Sequence, residues 1–182
     1  MEDVLLPFAT VLLAELGDKT QLAVFCLAIK TRKRLQLLLG IVLAFIIADG
    51  IAVILGDFLA RIAPYLVKTV SGIIFILCGL ITLVKRDDGE DRKYDARNSF
   101  ISGFGLVLIS EMGDKTQIVS GLFAAKYDPL LVFIGAISAL ALLSAVTIYL
   151  GKYVIRKLDE ELISKIAAIV FILIGILNLL NF

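Results

Sequence analysis

Two copies of one seven-residue segment hold the groups best suited to chemistry in this chain. The first copy reads Glu-Leu-Gly-Asp-Lys-Thr-Gln over residues 15–21, and the second reads Glu-Met-Gly-Asp-Lys-Thr-Gln over residues 111–117. We call them the first and second motifs. Together they offer four carboxylates and two ammonium groups, which sum to −2 when all are ionised. That charge suits the binding of one divalent cation or of two protons.

The ligand types indicate which cation such a site would prefer. Carboxylate and amide oxygens favour hard ions, so Ca²⁺, Mn²⁺ and Mg²⁺ all fit. The chain has no histidine, and Cys26 and Cys78 each stand alone in an apolar run, so a dedicated Zn²⁺ or Cu⁺ site is not indicated. The predicted metal ligands are Glu15, Asp18, Gln21, Glu111, Asp114 and Gln117, with Lys19 and Lys115 as charge compensation and Thr20 and Thr116 as ligands if the helices unwind.

The elements that carry these residues are apolar. Hydrophobic residues make up 60% of the 182 residues, and the mean hydropathy is +1.00, more than a soluble domain of this length could bury. A bilayer core of ~30 Å needs about 20 apolar residues in a helix. Six segments meet that length: Leu5–Ile29, Leu35–Gly56, Ile62–Val84, Phe100–Ala125, Pro129–Gly151 and Ile163–Phe182.

Both motifs fall near the middle of a predicted span. On a continuous helix Glu15, Asp18 and Lys19 would share one face, with ~4.5 Å of rise between the two acids. Each charge costs about 2.5–3.5 kcal/mol at the bilayer centre, so a functional role is expected. The alternative is that Glu–Lys salt bridges within each motif only hold the protein together.

A further acid, Asp49, lies in the middle of the second span. It is a candidate for a proton path. The alternative is a structural acid that is hydrogen-bonded or faces a water-filled vestibule.

The motif repeat extends over three helices. The motifs are 96 residues apart, and the same offset aligns Phe75–Gly79 with Phe171–Gly175, while Gly40 in the second span aligns with Gly135 in the fifth at an offset of 95. We therefore predict an all-α membrane protein of six transmembrane helices, with a first repeat over 1–84, a cytoplasmic linker over 85–98 and a second repeat over 99–182. Because each repeat has an odd number of spans, the second enters the membrane from the opposite side. Inverted repeats are typical of secondary transporters, which bind substrate at the midplane between the halves.

Basic residues predict the orientation. Thirteen lysines and arginines lie on the side of the first, third and fifth connections, against three (Arg61, Lys68 and Lys126) on the side of the termini. The positive-inside rule therefore puts both termini outside and the linker in the cytoplasm. The start, Met1-Glu2-Asp3, lacks the basic region of a signal peptide. A multi-pass protein of the cell membrane is expected, and the net charge of +1 does not indicate nucleic-acid binding.

The duplicated motif resembles the cation–proton antiporter family of human transmembrane protein 165. The family pattern is Glu, hydrophobic, Gly, Asp, Lys or Arg, Ser or Thr, and both copies match it in full. The resemblance implies exchange of Mn²⁺ or Ca²⁺ for protons, with manganese export as in bacterial members. It also implies that the metal-site acids are Glu15, Asp18, Glu111 and Asp114. No enzymatic activity and no resident cofactor are expected, and the partners are the metal ion, protons and the bilayer.

Other functions stay open at this point. Mn²⁺ and Ca²⁺ accept the same ligands, so a Ca²⁺/H⁺ antiporter is the first alternative. A passive cation channel is another, although the midplane lysines would oppose cation permeation. An enzyme acting on lipid phosphate would want arginine or histidine, and neither lies near the midplane. An amino-acid exporter could use the lysines to bind a carboxylate.

Repeat symmetry also predicts a layout for the acids. If the motif helices cross near Gly17 and Gly113, the acids should form two mixed pairs. Glu15 would lie with Asp114 towards the outside, and Asp18 with Glu111 towards the cytoplasm.

Overall fold

The described part of the chain, residues 1–62, 64–84, 98–154 and 160–180 of a computed structural model, is helical. It contains no strand. This confirms the predicted all-α class. The helices are α1 (Glu2–Glu15), α2 (Lys19–Lys30), α3 (Arg34–Ile62), α4 (Pro64–Val84), α5 (Ser99–Glu111), α6 (Lys115–Ala124), α7 (Pro129–Val154) and α8 (Glu160–Leu180).

Within the described part of the chain, two helices are long and apolar enough to cross a bilayer. They cover Arg34–Ile62, with 29 residues, and Pro129–Gly151, with 23 residues. Shorter apolar helical stretches lie at Thr20–Lys30, Thr69–Ile81, Ser99–Glu111 and Lys165–Leu177. The number of spans and the side of each terminus remain predictions.

The motifs break the helices that carry them. The sequence predicted one span over Leu5–Ile29 and another over Phe100–Ala125, but α1 ends at Glu15 and α5 ends at Glu111. Gly17 has φ +81° and Gly113 has φ +84°, a left-handed conformation that costs a residue with a side chain 1–2 kcal/mol. The prediction that Glu15, Asp18 and Lys19 share one helix face was therefore wrong. The glycines turn the chain between them, and each motif spans two helix ends.

Helix packing joins the first half of the chain to the second. α3 packs against α5, α6 and α7, while α1 packs on α7 and α4 packs on α8. Phe75, Phe123 and Phe171 are almost fully buried and meet in the core, with ring centroids 5.3 Å apart for Phe75–Phe123 and 6.2 Å for Phe75–Phe171. In both halves a broken helix is followed by a long apolar helix and a last helix. Of the predicted linker, only Asn98 lies within the described residues, where its side chain caps α5 by accepting from the Ile101 N–H.

One contact between the halves depends on the absence of side chains. A Cβ on Gly56 of α3 would overlap the backbone carbonyl of Gly121 on α6, so the two helices touch through their backbones. By the repeat offset, the equivalent residues are Gly151 on α7 and Phe25 on α2. There a Cβ on Gly151 would meet the Phe25 ring. At the α3–α6 crossing the two backbones are thus in direct contact, whereas at the α2–α7 crossing the Phe25 ring fills the space between the helices.

The Gly56 contact can be tested by adding a side chain. Gly56→Val should lower stability by about 1–3 kcal/mol or more, because overpacking here must push two backbones apart. Gly105→Ala on α5 is the control, since a Cβ there has no atom within 4 Å and should gain about 0.5–1 kcal/mol in helix propensity. Thermal unfolding of both variants in detergent measures the difference. Equal melting temperatures would contradict the backbone contact.

Candidate metal centre

The glutamine of each motif closes the break in its own helix. The Gly17 N–H donates to Gln21 Oε1 at 3.4 Å, and the Gly113 N–H donates to Gln117 Oε1 at 2.9 Å. Gln21 Nε2 also donates to the Glu15 carbonyl. These bonds supply partners to backbone groups that a broken helix in an apolar setting leaves unsatisfied. Gln21 and Gln117 were predicted as metal ligands. In this structure their side-chain carbonyl oxygens instead accept hydrogen bonds from backbone N–H groups, a capping role that their spacing did not indicate.

Three carboxylates from the two motifs come together. One oxygen each of Glu15, Asp18 and Asp114 lies within 4.8 Å of the others. Glu15 is 3% and Asp18 is 7% exposed. Lys115 Nζ lies 3.0 Å from Asp18 Oδ2, so the second motif supplies a cation to the first. With all four groups ionised, this three-acid cluster and its lysine have a formal charge of −2, which a divalent cation would balance.

The threonines connect the motifs to each other. Thr116 Oγ1 donates to Glu15 Oε1 at 2.5 Å, and the Thr20 side chain hydrogen-bonds the Glu111 carboxylate. Each glutamate is therefore hydrogen-bonded to the threonine of the other motif. Thr20 and Thr116 were predicted to be metal ligands if the helices unwind, and the helices do break at Gly17 and Gly113. Their hydroxyls nevertheless bind carboxylates in this structure.

Glu111 lies beside the cluster and is not a member of it. It is 2% exposed, and its Oε1 has no hydrogen-bond partner among the described residues. It is within electrostatic range of Asp18, Asp114 and Asp49. Glu15 lies with Asp114, as predicted, and Asp18 joins these two acids, whereas it was predicted to pair with Glu111 alone. Both motifs turn in the same way, since the Asp18 N–H donates to the Glu15 carbonyl at 3.2 Å and the Asp114 N–H donates to the Glu111 carbonyl at 3.0 Å.

The two remaining predicted residues have separate positions. The backbone of Lys19 begins α2, and its side chain lies outside the described part of the structure, so its charge-compensating role stays a prediction. Asp49 is 2% exposed on α3 and accepts a hydrogen bond from Ser120 Oγ at 2.8 Å. It is not part of the three-acid cluster.

A small cleft reaches Glu15 of the cluster. Its polar lining comes from Glu15, Thr20 and Gln21 of the first half and from Ser144 and Thr147 of α7. Hydroxyl and amide oxygens thus line an approach to Glu15. The sequence analysis predicted neither Ser144 nor Thr147 as a site residue. Both lie on an apolar helix, where isolated hydroxyl residues give no distinctive pattern.

Comparison with known proteins identifies the family. Residues 3–90 and 99–181 match the family described as divalent cation/proton antiporter GDT1. The chain belongs to the GDT1 family. This confirms the resemblance predicted from the duplicated motif, and it places the chain in a class of membrane transporters that is not a class of enzymes. A metal ion and protons are the substrates that the family description names.

Individual relatives cover most of the chain. A Vibrio cholerae protein named "Putative manganese exporter" is 33% identical over 171 residues, which is 92% of this chain and 85% of that protein. A rice protein, GDT1-like protein 5, is 24% identical over 95% of this chain and 92% of its own length. An Arabidopsis chloroplast protein, the PAM71 homolog, is 33% identical over 53% of this chain and 26% of its own. No solved structure matches the chain significantly.

The charge balance of the cluster can be tested through Lys115. In Lys115→Gln, Asp18 loses its cation and the acids repel one another. Breaking a buried pair costs about 3–5 kcal/mol, and the cost here should be smaller because the lysine side chain is 24% exposed. Added Mn²⁺ should restore much of that stability, because the ion supplies the missing positive charge.

The measurement is the melting temperature with chelator and with Mn²⁺. The metal-dependent rise should be larger in Lys115→Gln than in the wild type. The matched control is Lys30→Gln, at the exposed end of α2, whose rise should equal that of the wild type. A smaller rise in Lys115→Gln than in the wild type would contradict this account of the charge balance.

Proposed function

We propose that this protein is a secondary antiporter that exports a divalent cation, with Mn²⁺ favoured, in exchange for protons. The observation that carries the proposal is the meeting of Glu15, Asp18 and Asp114 at two broken helices. An all-oxygen set of this charge binds a hard divalent ion. The name of the Vibrio cholerae relative supports manganese as the ion. Ca²⁺ is the second candidate, because it accepts the same ligands.

Competition for the carboxylates couples the two fluxes in this proposal. A metal ion needs ionised carboxylates, so its binding releases protons, and protonation releases the metal. Lys115 stabilises the cluster when no metal is bound, because it neutralises one of the carboxylates. Tight coupling of this kind requires no cofactor. It also argues against a passive channel, which needs weak binding along a continuous pore, whereas Lys115 places a cation next to Asp18.

The proposed membrane arrangement has six spans in two inverted repeats, with both termini outside the cell. The matching order of elements in the two halves and the distribution of lysine and arginine support it. In this arrangement the cleft lies on the cytoplasmic side of the cluster. Its α2 residues lead towards Lys30, and its α7 residues lead towards the connection after Val154, with the contact of Phe25 and Gly151 between the cleft and that side. Movement of the Phe25 ring would therefore admit metal from inside, and rocking of the halves would expose the cluster outside.

Neutral variants of the cluster test the metal site. Asp18→Asn and Asp114→Asn should each reduce Mn²⁺ exchange to background, because each removes one of the three charges that bind the ion. Proteoliposomes with an imposed pH gradient and a metal-quenched dye measure the exchange, with Ca²⁺ and Mg²⁺ compared. Asp57→Asn, which removes a carboxylate from an exposed ion pair with Arg61 on α3, should leave exchange intact. Normal exchange by both cluster variants would refute the proposal, and Mn²⁺ flux without any accompanying proton movement would favour a channel.

The second test is the pH dependence of metal binding. Affinity should fall as pH decreases, by up to about tenfold per pH unit for each proton that the metal displaces. Calorimetric titration of the detergent-solubilised protein with Mn²⁺ between pH 5 and 8 measures it. An affinity that stays constant over this range would remove direct competition as the coupling mechanism.

A further inference from the structure

Asp49 is a buried acid that the proposed metal site does not use. It lies on α3, is 2% exposed, and accepts a hydrogen bond from Ser120 Oγ at 2.8 Å. We infer that Asp49 is a proton-binding carboxylate distinct from the metal site, so that one exchanged proton is carried where the metal does not bind. This inference rests on the proposed antiport and adds a second ion-binding position to it.

The surroundings of Asp49 suit a group that alternates between charged and neutral forms. Among the described side chains it is paired with no lysine or arginine, in contrast to Asp18 with Lys115. The elements packed on α3 present Ser120 from α6 and Glu111, a second acid, from α5. A carboxylate without a cation is costly in an apolar helix bundle, and a bound proton removes that cost.

Ser120 can serve both forms of Asp49. A hydroxyl donates to an ionised carboxylate, and after rotation it accepts from a protonated one. The side chain of Ser120 is fully buried, so no water is needed for either bond. The hydrogen bond therefore persists through a cycle of protonation, which is what a reversible proton carrier requires.

Helix α6 sets the distance between Asp49 and the metal site. Thr116 bonds Glu15 of the cluster, and Ser120, one turn further along the same face, bonds Asp49. Asp49 is not among the three acids whose oxygens lie within 4.8 Å of one another, so it stands apart from the cluster. Glu111 lies within electrostatic range of Asp49 and of two acids of the cluster, Asp18 and Asp114, so Asp49 lies close enough to sense the charge of an ion bound there.

The pair of a buried acid and a serine occurs in only one of the two equivalent positions of the repeat. By the repeat offsets, Asp49 corresponds to Ser144 and Ser120 corresponds to Val24, and both of these residues line the cleft. Asp49 instead lies along α3 from Gly56, where α3 and α6 touch through their backbones. A proton group on the α3–α6 side and a polar approach on the α2–α7 side give protons and metal different routes.

The decisive experiment counts the protons released when metal binds. Asp49→Asn in detergent should bind Mn²⁺ near pH 8 within about threefold of the wild type, yet release up to about one proton fewer at lower pH. Calorimetry in buffers of different ionisation enthalpy measures this number without transport. Asp57→Asn, on the same helix, is the control and should release the wild-type number.

Each outcome of this experiment supports or contradicts the proton-binding role of Asp49. An unchanged proton count would overturn the inference, and a loss of affinity of about tenfold or more near pH 8 would place Asp49 in the metal site instead. If Asp49→Asn does not fold, Ser120→Ala takes its place. Loss of a hydrogen bond to the ionised acid should move the pH profile of proton release upward with metal affinity near pH 8 unchanged, and an unmoved profile would overturn the inference.

Transport assays separate this inference from the proposed function. Failure of wild-type proteoliposomes to exchange Mn²⁺ for protons would refute the antiporter. If the wild type exchanges normally and Asp49→Asn keeps the same ratio of protons to Mn²⁺, only the role of Asp49 fails. The expected result is a lower ratio in Asp49→Asn and an unchanged ratio in Asp57→Asn.

Discussion

Charged and polar groups within apolar helices must find their partners inside the protein, and the rest of this structure depends on that constraint. An unpartnered buried polar group costs several kcal/mol in an apolar medium. The two helix breaks expose backbone N–H and C=O groups in addition to the acids. Gln21 and Gln117 satisfy the breaks, Thr20 and Thr116 bond the glutamates, and Lys115 pairs with Asp18. Most polar groups of the two motifs therefore have partners within the motifs, and the buried exceptions among the described residues are Glu111 Oε1 and Gln117 Nε2.

The same constraint explains why the halves interlock. The glutamines act within their own motif, whereas Thr116 and Lys115 act on Glu15 and Asp18 of the other. Such bonds form only if the breaks are held side by side, and α3 and α7 are the helices that hold them. α3 packs on α5 and α6, while α7 packs on α1 and α2. A metal ion bound to the cluster would connect carboxylates from both halves and so would sense their relative position.

Much of this could be predicted from the sequence, and the failures have a common physical cause. Composition and the repeat predicted helices, and the spacing of charged residues predicted which acids meet. Periodicity predicted an unbroken helix, because Gly17 alone does not distinguish close packing from a turn. The capping by Gln21 was missed, since an amide that can ligate a metal can equally bond a backbone. The Asp49–Ser120 bond joins residues 71 positions apart, and no local pattern encodes it.

The unequal crossings of the two long helices bear on the speed of the transport cycle. Opening beside Phe25 and Gly151 can begin with rotation of one half-buried ring, a motion of picoseconds to nanoseconds when a side chain is free to turn. Opening between Gly56 and Gly121 must separate two backbones, which is a collective helix displacement of microseconds to milliseconds. In the proposed antiport the two half-cycles would then have different activation barriers. Opening on the α3–α6 side would set the turnover time, and the α2–α7 side would equilibrate with its solution many times per cycle.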